Sequence, residues 1–225
     1  DDPAVMAEHA KAHVQAGFNV IKTKVGVDFA SDLARVRAIR EAVGDQVKIR
    51  LDANQGWKAK EAVELINRLN EYDIELVEQP VPRFDFEGLK FVTAHSSVPI
   101  MADESCWDSK DALQLVSQRA VDLINIKLMK CGGLYNALKI ASAAEVYGVE
   151  CMIGCMLEAK ISVNAAVHLA CAKQIITRVD LDGPVLCSED PILGGAVFNE
   201  KEITVSNEPG LGIKGIEPGK IKYLD

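Results

Sequence analysis

Asn19-Val-Ile-Lys-Thr-Lys-Val25 is a short β-branched run with a charged side chain near its end, and the same design returns at regular intervals. Val47-Lys-Ile-Arg-Leu-Asp-Ala-Asn54, Ile74-Glu-Leu-Val-Glu-Gln79, Val98-Pro-Ile-Met-Ala-Asp-Glu104 and Leu123-Ile-Asn-Ile-Lys-Leu-Met129 follow it. Counted from Lys24, the charged positions Asp52, Glu78, Asp103 and Lys127 lie 28, 26, 25 and 24 residues apart in turn, and Asp180 comes 53 residues later, room for one more unit. Each interval accommodates a strand, a helix and two short links, so the beat is that of repeated βα units and a parallel sheet. Two further runs, 150–156 and 176–182, bring the expected strands to seven. All seven are nearly continuous in apolar character, as strands covered on both faces must be.

Helical stretches with clear punctuation lie between the runs. Asp2 and Pro3 fit an N-cap followed by proline at the first helical position, and Gly17 closes that helix; Gly44 and Gly148 stand in the same closing place after 29–43 and 134–147. No glycine-rich phosphate turn follows the first strand, which disfavours a dinucleotide-binding sheet. Polar residues stand at almost every strand end, whereas an open sheet concentrates its site at one switch point, so a closed barrel with its site at the strand C-termini is expected. The chain opens on a helix with no strand before it, and a barrel short of one strand would expose two edges. The expectation is therefore strands two to eight of a (β/α) barrel in residues 1–185, with the first strand absent. Residues 186–225 turn rich in Gly and Pro and read as an irregular tail packing on the barrel, with one short hairpin near 196–205 and a turn at Gly194-Gly195.

Bulk properties narrow the function. A net charge of −8 and the lack of any Lys/Arg block argue against a nucleic-acid surface, while leaving cation binding open. No apolar run approaches membrane-spanning length and no signal-peptide pattern opens the chain, so a cytoplasmic protein is expected. The six cysteines include no CxxC pair, and most of them read as reduced, buried small hydrophobes.

Three carboxylates, Asp52, Glu78 and Asp103, close three consecutive strands. One acid at a strand end is ordinarily a helix cap or a solvated group; three in succession, with no His or Cys among them, make a hard oxygen set suited to Mg²⁺. Lys22 and Lys24 form a KxK whose side chains leave the strand on one face, expected to be the barrel interior, where each ammonium lowers the other's pKa and prepares a proton-abstracting base. Lys127, inside an apolar run four strands further round, is expected on the opposite wall, so that two bases reach the two faces of one carbon. Lys130 is read as a loop charge beyond the strand. Asp180 and Asp182 repeat the same-face spacing and offer an acidic seat for a substrate cation, against the alternative of a cap or turn before Gly183-Pro184. Asn54 and Glu104 adjoin the metal candidates and are read as partners that orient ligands; Glu158 is either a mouth residue or the opening acid of a helix. His9, His13, His95 and His168 fall in helical stretches and are read as uninvolved.

Taken together, Lys22-Thr-Lys24, Asp52-Ala-Asn54, Glu78-Gln-Pro80, Asp103-Glu104 and Asn125-Ile-Lys127 resemble the barrel of the enolase superfamily, muconate lactonizing enzyme subgroup, whose members use a Lys or His base with Mg²⁺ to stabilise an ene-diolate. Within it, Asp180-x-Asp182 resembles the DxD with which dipeptide epimerases hold the substrate α-ammonium, and Met152-Ile-Gly-Cys-Met-Leu-Glu158 is similar to the corresponding region of L-Ala-D/L-Glu epimerases. The resemblance implies an isomerase. It would epimerise a dipeptide at the α-carbon of its second residue by two-lysine 1,1-proton transfer, with Lys24 and Lys127 as the bases, Lys22 neutralising charge, and Mg²⁺ on Asp52, Glu78 and Asp103. A homo-oligomer without nucleic-acid or membrane partners is expected. N-acylamino acid racemisation, o-succinylbenzoate synthesis and muconate cycloisomerisation use the same metal and lysines but have no need of the acidic pair; an inactive barrel fragment is the reading from outside enzymology. The resemblance also implies an N-terminal capping domain and a first strand that these 225 residues do not contain.

Overall fold

The structure, a computed structural model, describes residues 2–199 and 201–219, and the chain divides into two compact units, Asp1–Ile124 and Asn125–Asp225. The first unit runs α1 (Pro3–Gln15), β1 (Val20–Lys24), α2 (Phe29–Val43), β2 (Lys48–Asp52), α3 (Ala59–Leu69) with a 3₁₀ turn at Asn70–Tyr72, β3 (Ile74–Glu78), α4 (Phe86–His95), β4 (Ile100–Ala102) and α5 (Ser109–Ser117), and leads into β5 (Leu123–Lys127). Strands β1 to β5 pair in chain order and in parallel. Ile49, Leu51, Leu76, Val77, Ile100 and Met101 are fully buried in this sheet, and Ala62, Leu65, Ile66 and Leu69 form the buried stripe of α3. Burial on both sides is what the unbroken apolar runs require.

Local chemistry sets the helix starts. Asp2 Oδ1 accepts the Ala4 N–H at 2.8 Å with Pro3 following, Asp28 accepts from Ser31 N at 3.0 Å, Asp85 from Gly88 N at 2.9 Å, and Asp108 from Lys110 N and Asp111 N at 2.7 and 3.0 Å. The loops after β1 and β2 touch at two glycines: Gly26 has φ +98°, and a Cβ on Gly56 would lie 2.4 Å from the Gly26 carbonyl oxygen. No larger residue fits that approach.

The second unit continues with α6 (Leu128–Cys131), α7 (Leu134–Tyr147), β6 (Glu150–Gly154), α8 (Lys160–Ala172), β7 (Ile176–Asp180), α9 (Gly183–Leu186), β8 (Ile192–Gly194), β9 (Val197–Asn199), β10 (Glu202–Thr204) and β11 (Ile213–Ile216). Strands β6 and β7 are parallel, as expected of two βα units. Among the described residues no helix is long and apolar enough to cross a membrane.

All seven expected strands are present, each shorter than its run by one to four residues, and two of these changes have a clear cause. The run 98–104 yields only Ile100–Ala102, because Pro99 has no N–H to donate and the Asp103 N–H bonds to the Gln79 side chain instead of to the ladder. The run 123–129 ends as a strand at Lys127; Leu128–Cys131 winds into α6, closed by Gly132 in the left-handed region, so Lys130 belongs to a short helix and not to a loop. The tail is also more ordered than its composition suggests. The expected hairpin is β9–β10, and a second antiparallel pair, β8–β11, accompanies it. The buried Asn164 of α8 pins the tail, accepting the Ala196 N–H at 3.0 Å and donating to the Leu211 carbonyl. Residues 200 and 220–225 of the tail lie outside the described residues.

In the first unit the fully buried Asp32 accepts from Gly26 N at 2.8 Å, Arg35 Nη1 at 3.0 Å and Trp57 Nε1 at 3.4 Å, tying α2 to the loops after β1 and β2. Replacing Asp32 with Ala strands these donors and should lower the unfolding free energy by about 3–5 kcal/mol, measured by urea denaturation.

Candidate functional site

Register brings the candidates of the first unit together. In the parallel ladders Lys24 stands opposite Asp52, Asp52 opposite Glu78, and Glu78 opposite Met101. Lys24, Asp52 and Glu78 therefore form one row across three strand ends, and Asp103, two residues beyond Met101, continues on the same face. All three carboxylates are buried. Lys22 Nζ lies 2.7 Å from Glu78 Oε2 and 3.2 Å from Asp52 Oδ2, and Lys24 Nζ is 2.8 Å from the same Asp52 oxygen. The two lysines do leave β1 on one face, and both share the Asp52 carboxylate. Lys24 is more open than its apolar flanks suggested, with a side chain 66% exposed against 23% for Lys22.

Asn54 and Glu104 extend this network. Lys24 Nζ donates to Asn54 Oδ1, Asn54 Nδ2 donates to Glu104 Oε1 at 3.1 Å, and the Asn54 N–H donates to Asp52 Oδ1 at 3.0 Å. Asn54 adopts a left-handed φ of 41°, a conformation Asn tolerates better than most residues. The second Glu104 oxygen is buried without a hydrogen-bond partner among the described residues.

Electrostatics bear heavily on Glu78. Burial pushes its carboxyl up to about 7; the Lys22 charge holds it down, while the charges of Asp52 and Asp103 push it further up. Among the described residues no three His, Cys, Asp or Glu side chains are drawn together closely enough to cage an ion, and the Lys22 ammonium bridges Asp52 and Glu78. The chemistry of the donor set nonetheless fits Mg²⁺: three buried carboxylates on adjacent strand ends, all hard oxygen, with mutual repulsion that a divalent charge would relieve.

The second unit holds the remaining candidates. Lys127 ends β5 and is buried. Lys130 is also buried, and its Nζ donates to the Asn125 carbonyl at 3.0 Å. Asn125 is packed so closely that a Cβ at Gly154 would sit 2.7 Å from its Oδ1. Asp180 ends β7 opposite Gly154, and Asp182 occupies the N-cap position of α9 without a side-chain capping bond. Cys155 reports how the acids gather: its Sγ lies 3.5 Å from the Asp180 carbonyl and 3.9 Å from Asp182 Oδ1. Burial pushes the Cys155 thiol up to about 11, with the charges of Asp182, Asp180 and Glu158 adding to the rise. Glu158 itself is buried and turned inward, accepting from Met156 N at 2.8 Å and from the Ser162 hydroxyl. That is the local role of an acid that shapes the loop before α8.

Two residues had no assigned role in the sequence and have one in the structure. Gln79 directly follows the end of β3 and Asn125 lies in the middle of β5, and both side chains are fully buried. The signal for Asn125 was an amide inside an apolar strand run, and for Gln79 an amide directly after a charged strand end.

Three relatives show what this arrangement is similar to. The chain matches the enolase C-terminal domain-like family over residues 5–217. It is 55% identical to an L-Ala-D/L-Glu epimerase of Clostridium acetobutylicum over 96% of this chain and 61% of the relative. It superposes on the substrate-liganded L-Ala-D/L-Glu epimerase of Bacillus subtilis with a TM-score of 0.94 at 47% identity, covering 96% of this chain and 61% of that one. It superposes on the dipeptide epimerase of Enterococcus faecalis complexed with Mg and L-Leu-L-Tyr with a TM-score of 0.92 at 53% identity, covering 95% and 61%. The chain thus spans about three-fifths of the length of these relatives.

Because Glu158 satisfies the Met156 N–H and the Ser162 hydroxyl within a buried loop, Glu158→Ala should cost about 1–3 kcal/mol in a chemical denaturation experiment.

Proposed function

The chain belongs to the enolase C-terminal domain-like family, and from that premise we propose that it is the barrel part of a Mg²⁺-dependent dipeptide epimerase that inverts the α-carbon of the substrate's second residue. The observation that carries the reading is the row Lys24, Asp52, Glu78 with Lys22 inserted between the two carboxylates and Asp103 following on the same face. Residues 1–185 are read as barrel and 186–225 as its tail, in a cytoplasmic homo-oligomer that takes a small-molecule dipeptide and neither nucleic acid nor membrane.

Asp52, Glu78 and Asp103 would hold the ion. When bound, Mg²⁺ supplies positive charge against the carboxylate of the substrate's second residue. Lys24 then acts as a neutral amine. It takes the α-proton from one face, the C–H bond breaks, and the electron pair moves toward the carboxylate. Lys22, already seated against two carboxylates, places a fixed ammonium where that charge develops. Lys127 as an ammonium returns a proton to the opposite face, forming the new C–H bond and leaving Lys24 protonated and Lys127 neutral. The reverse reaction exchanges the two roles. Asp180 and Asp182, whose carbonyl and carboxylate respectively lie against the Cys155 sulfur, would seat the α-ammonium of the first residue. Asn54 and Glu104 hold Lys24 in place through the Asn54 amide.

Lys24→Ala and Lys127→Ala should each lower epimerisation by about 10²–10⁴-fold, whereas exchange of the α-proton with D₂O survives for one diastereomer in each variant. Mass spectrometry of dipeptides incubated in D₂O with Mg²⁺ reads both quantities, and full epimerisation by both variants would sink the two-base scheme. Asp180→Asn should lower kcat/KM for dipeptides by about 10–100-fold, the worth of one charged hydrogen bond, while Mg²⁺ affinity stays unchanged. Unaltered dipeptide turnover in Asp180→Asn would shift the assignment to a substrate with no free amine.

A further inference from the structure

We propose that Gln79 is a positioning residue whose side-chain amide continues the sheet beyond the β3–β4 ladder and thereby fixes Asp103 beside Glu78. The inference rests on the assignment of Asp52, Glu78 and Asp103 as metal ligands, and adds a group that acts through one of them.

The need arises from the shortness of β4. Its ladder with β3 contains only Val77 opposite Ile100 and Glu78 opposite Met101, and the last backbone bond runs from the Gln79 N–H to the Met101 carbonyl at 2.8 Å. Asp103 lies past that point. Main-chain pairing with β3 therefore does not hold it, although Glu78 and Asp103 feel each other's charge.

The Gln79 side chain takes over where the ladder stops. Its Oε1 accepts the Asp103 N–H at 3.0 Å and the Ser105 N–H at 3.1 Å. Its Nε2 donates to the Val81 carbonyl and to Ser105 Oγ, both at 2.8 Å, and Ser105 Oγ donates onward to the Arg83 carbonyl at 2.9 Å. A primary amide has two donors and two acceptor sites, and all four are used here inside the protein, with Gln79 0% exposed. The partners also fix its orientation, since a flipped amide would aim its NH₂ group at two N–H groups. Gln79 itself has φ 38°, a left-handed conformation that is uncommon outside glycine and persists where the surroundings over-determine it. Thus one side chain clamps the backbone on both sides of Asp103 to the residue next to Glu78.

The test uses the 225-residue chain and Mg²⁺ alone. Gln79→Met keeps the bulk and removes all four bonds. Calorimetric titration should show Mg²⁺ affinity weakened by about 10–100-fold, the usual effect of losing a group that orients a ligand. In the metal-free protein, the Asp103 and Ser105 amides should exchange faster with D₂O. Ser105→Ala, which removes only the hydroxyl link, should move both readouts in the same direction by less, and it carries the test if Gln79→Met does not fold. Thr93→Val removes a hydroxyl that bonds the Leu89 and Ala120 carbonyls elsewhere in the same unit, and should leave both readouts unchanged. Equal Mg²⁺ affinity in the parent and the Gln79 and Ser105 variants overturns this inference alone, as does a loss in Thr93→Val as large as in Gln79→Met. A parent chain that binds no Mg²⁺ overturns the metal assignment and this inference together.

Discussion

Parallel, in-register pairing of β1, β2 and β3 is the constraint on which the site depends. Because Lys24 faces Asp52 and Asp52 faces Glu78 across adjacent ladders, groups more than 20 residues apart along the chain are held about one strand spacing, 4.7–4.9 Å, from one another. A register slip of one residue in any of these strands would turn its charged end to the opposite face and break the row. The loops that follow are held with the same economy of space: Gly26 and Gly56 meet backbone to backbone, and the buried Asp32 ties both loops to α2.

The row concentrates like charge. Desolvating a carboxylate costs on the order of several kcal/mol, and here three are buried within reach of each other's fields. Lys22 offsets part of that cost by standing between Asp52 and Glu78, yet Glu78 is still pushed up to about 7. The fold thus retains an acid cluster that its own cations only partly neutralise. A set of three hard carboxylate ligands of this kind has the chemistry of a divalent-cation site.

The second unit follows a different logic. Its acids, Asp180, Asp182 and Glu158, act together on the Cys155 thiol, and the loop carrying Glu158 is stitched by that residue's own buried bonds. Lys130 and Asn125 form a polar seam beneath the end of β5. The tail is joined to α8 through Asn164 and so becomes part of the unit despite its Gly and Pro content.

What the amino-acid sequence determined by itself was the order of elements and the chemistry at each strand end. Apolar runs buried on both faces, Asp at helix starts and Gly at helix ends are local signals, and they located the strands, the caps at Asp2 and Gly148, and the charged positions from Lys24 to Asp180. Tertiary structure alone decided how those ends are held. That Lys22 bridges Asp52 and Glu78, that β4 stops at Ala102, that Lys130 is buried in a short helix, and that Gln79 spends all four of its hydrogen bonds around Asp103 are outcomes of contacts between segments distant in sequence. Propensity and periodicity act over a few residues. Hydrogen bonds and charges that cross from one strand end to the next depend on register and burial, which exist only once the sheet has formed.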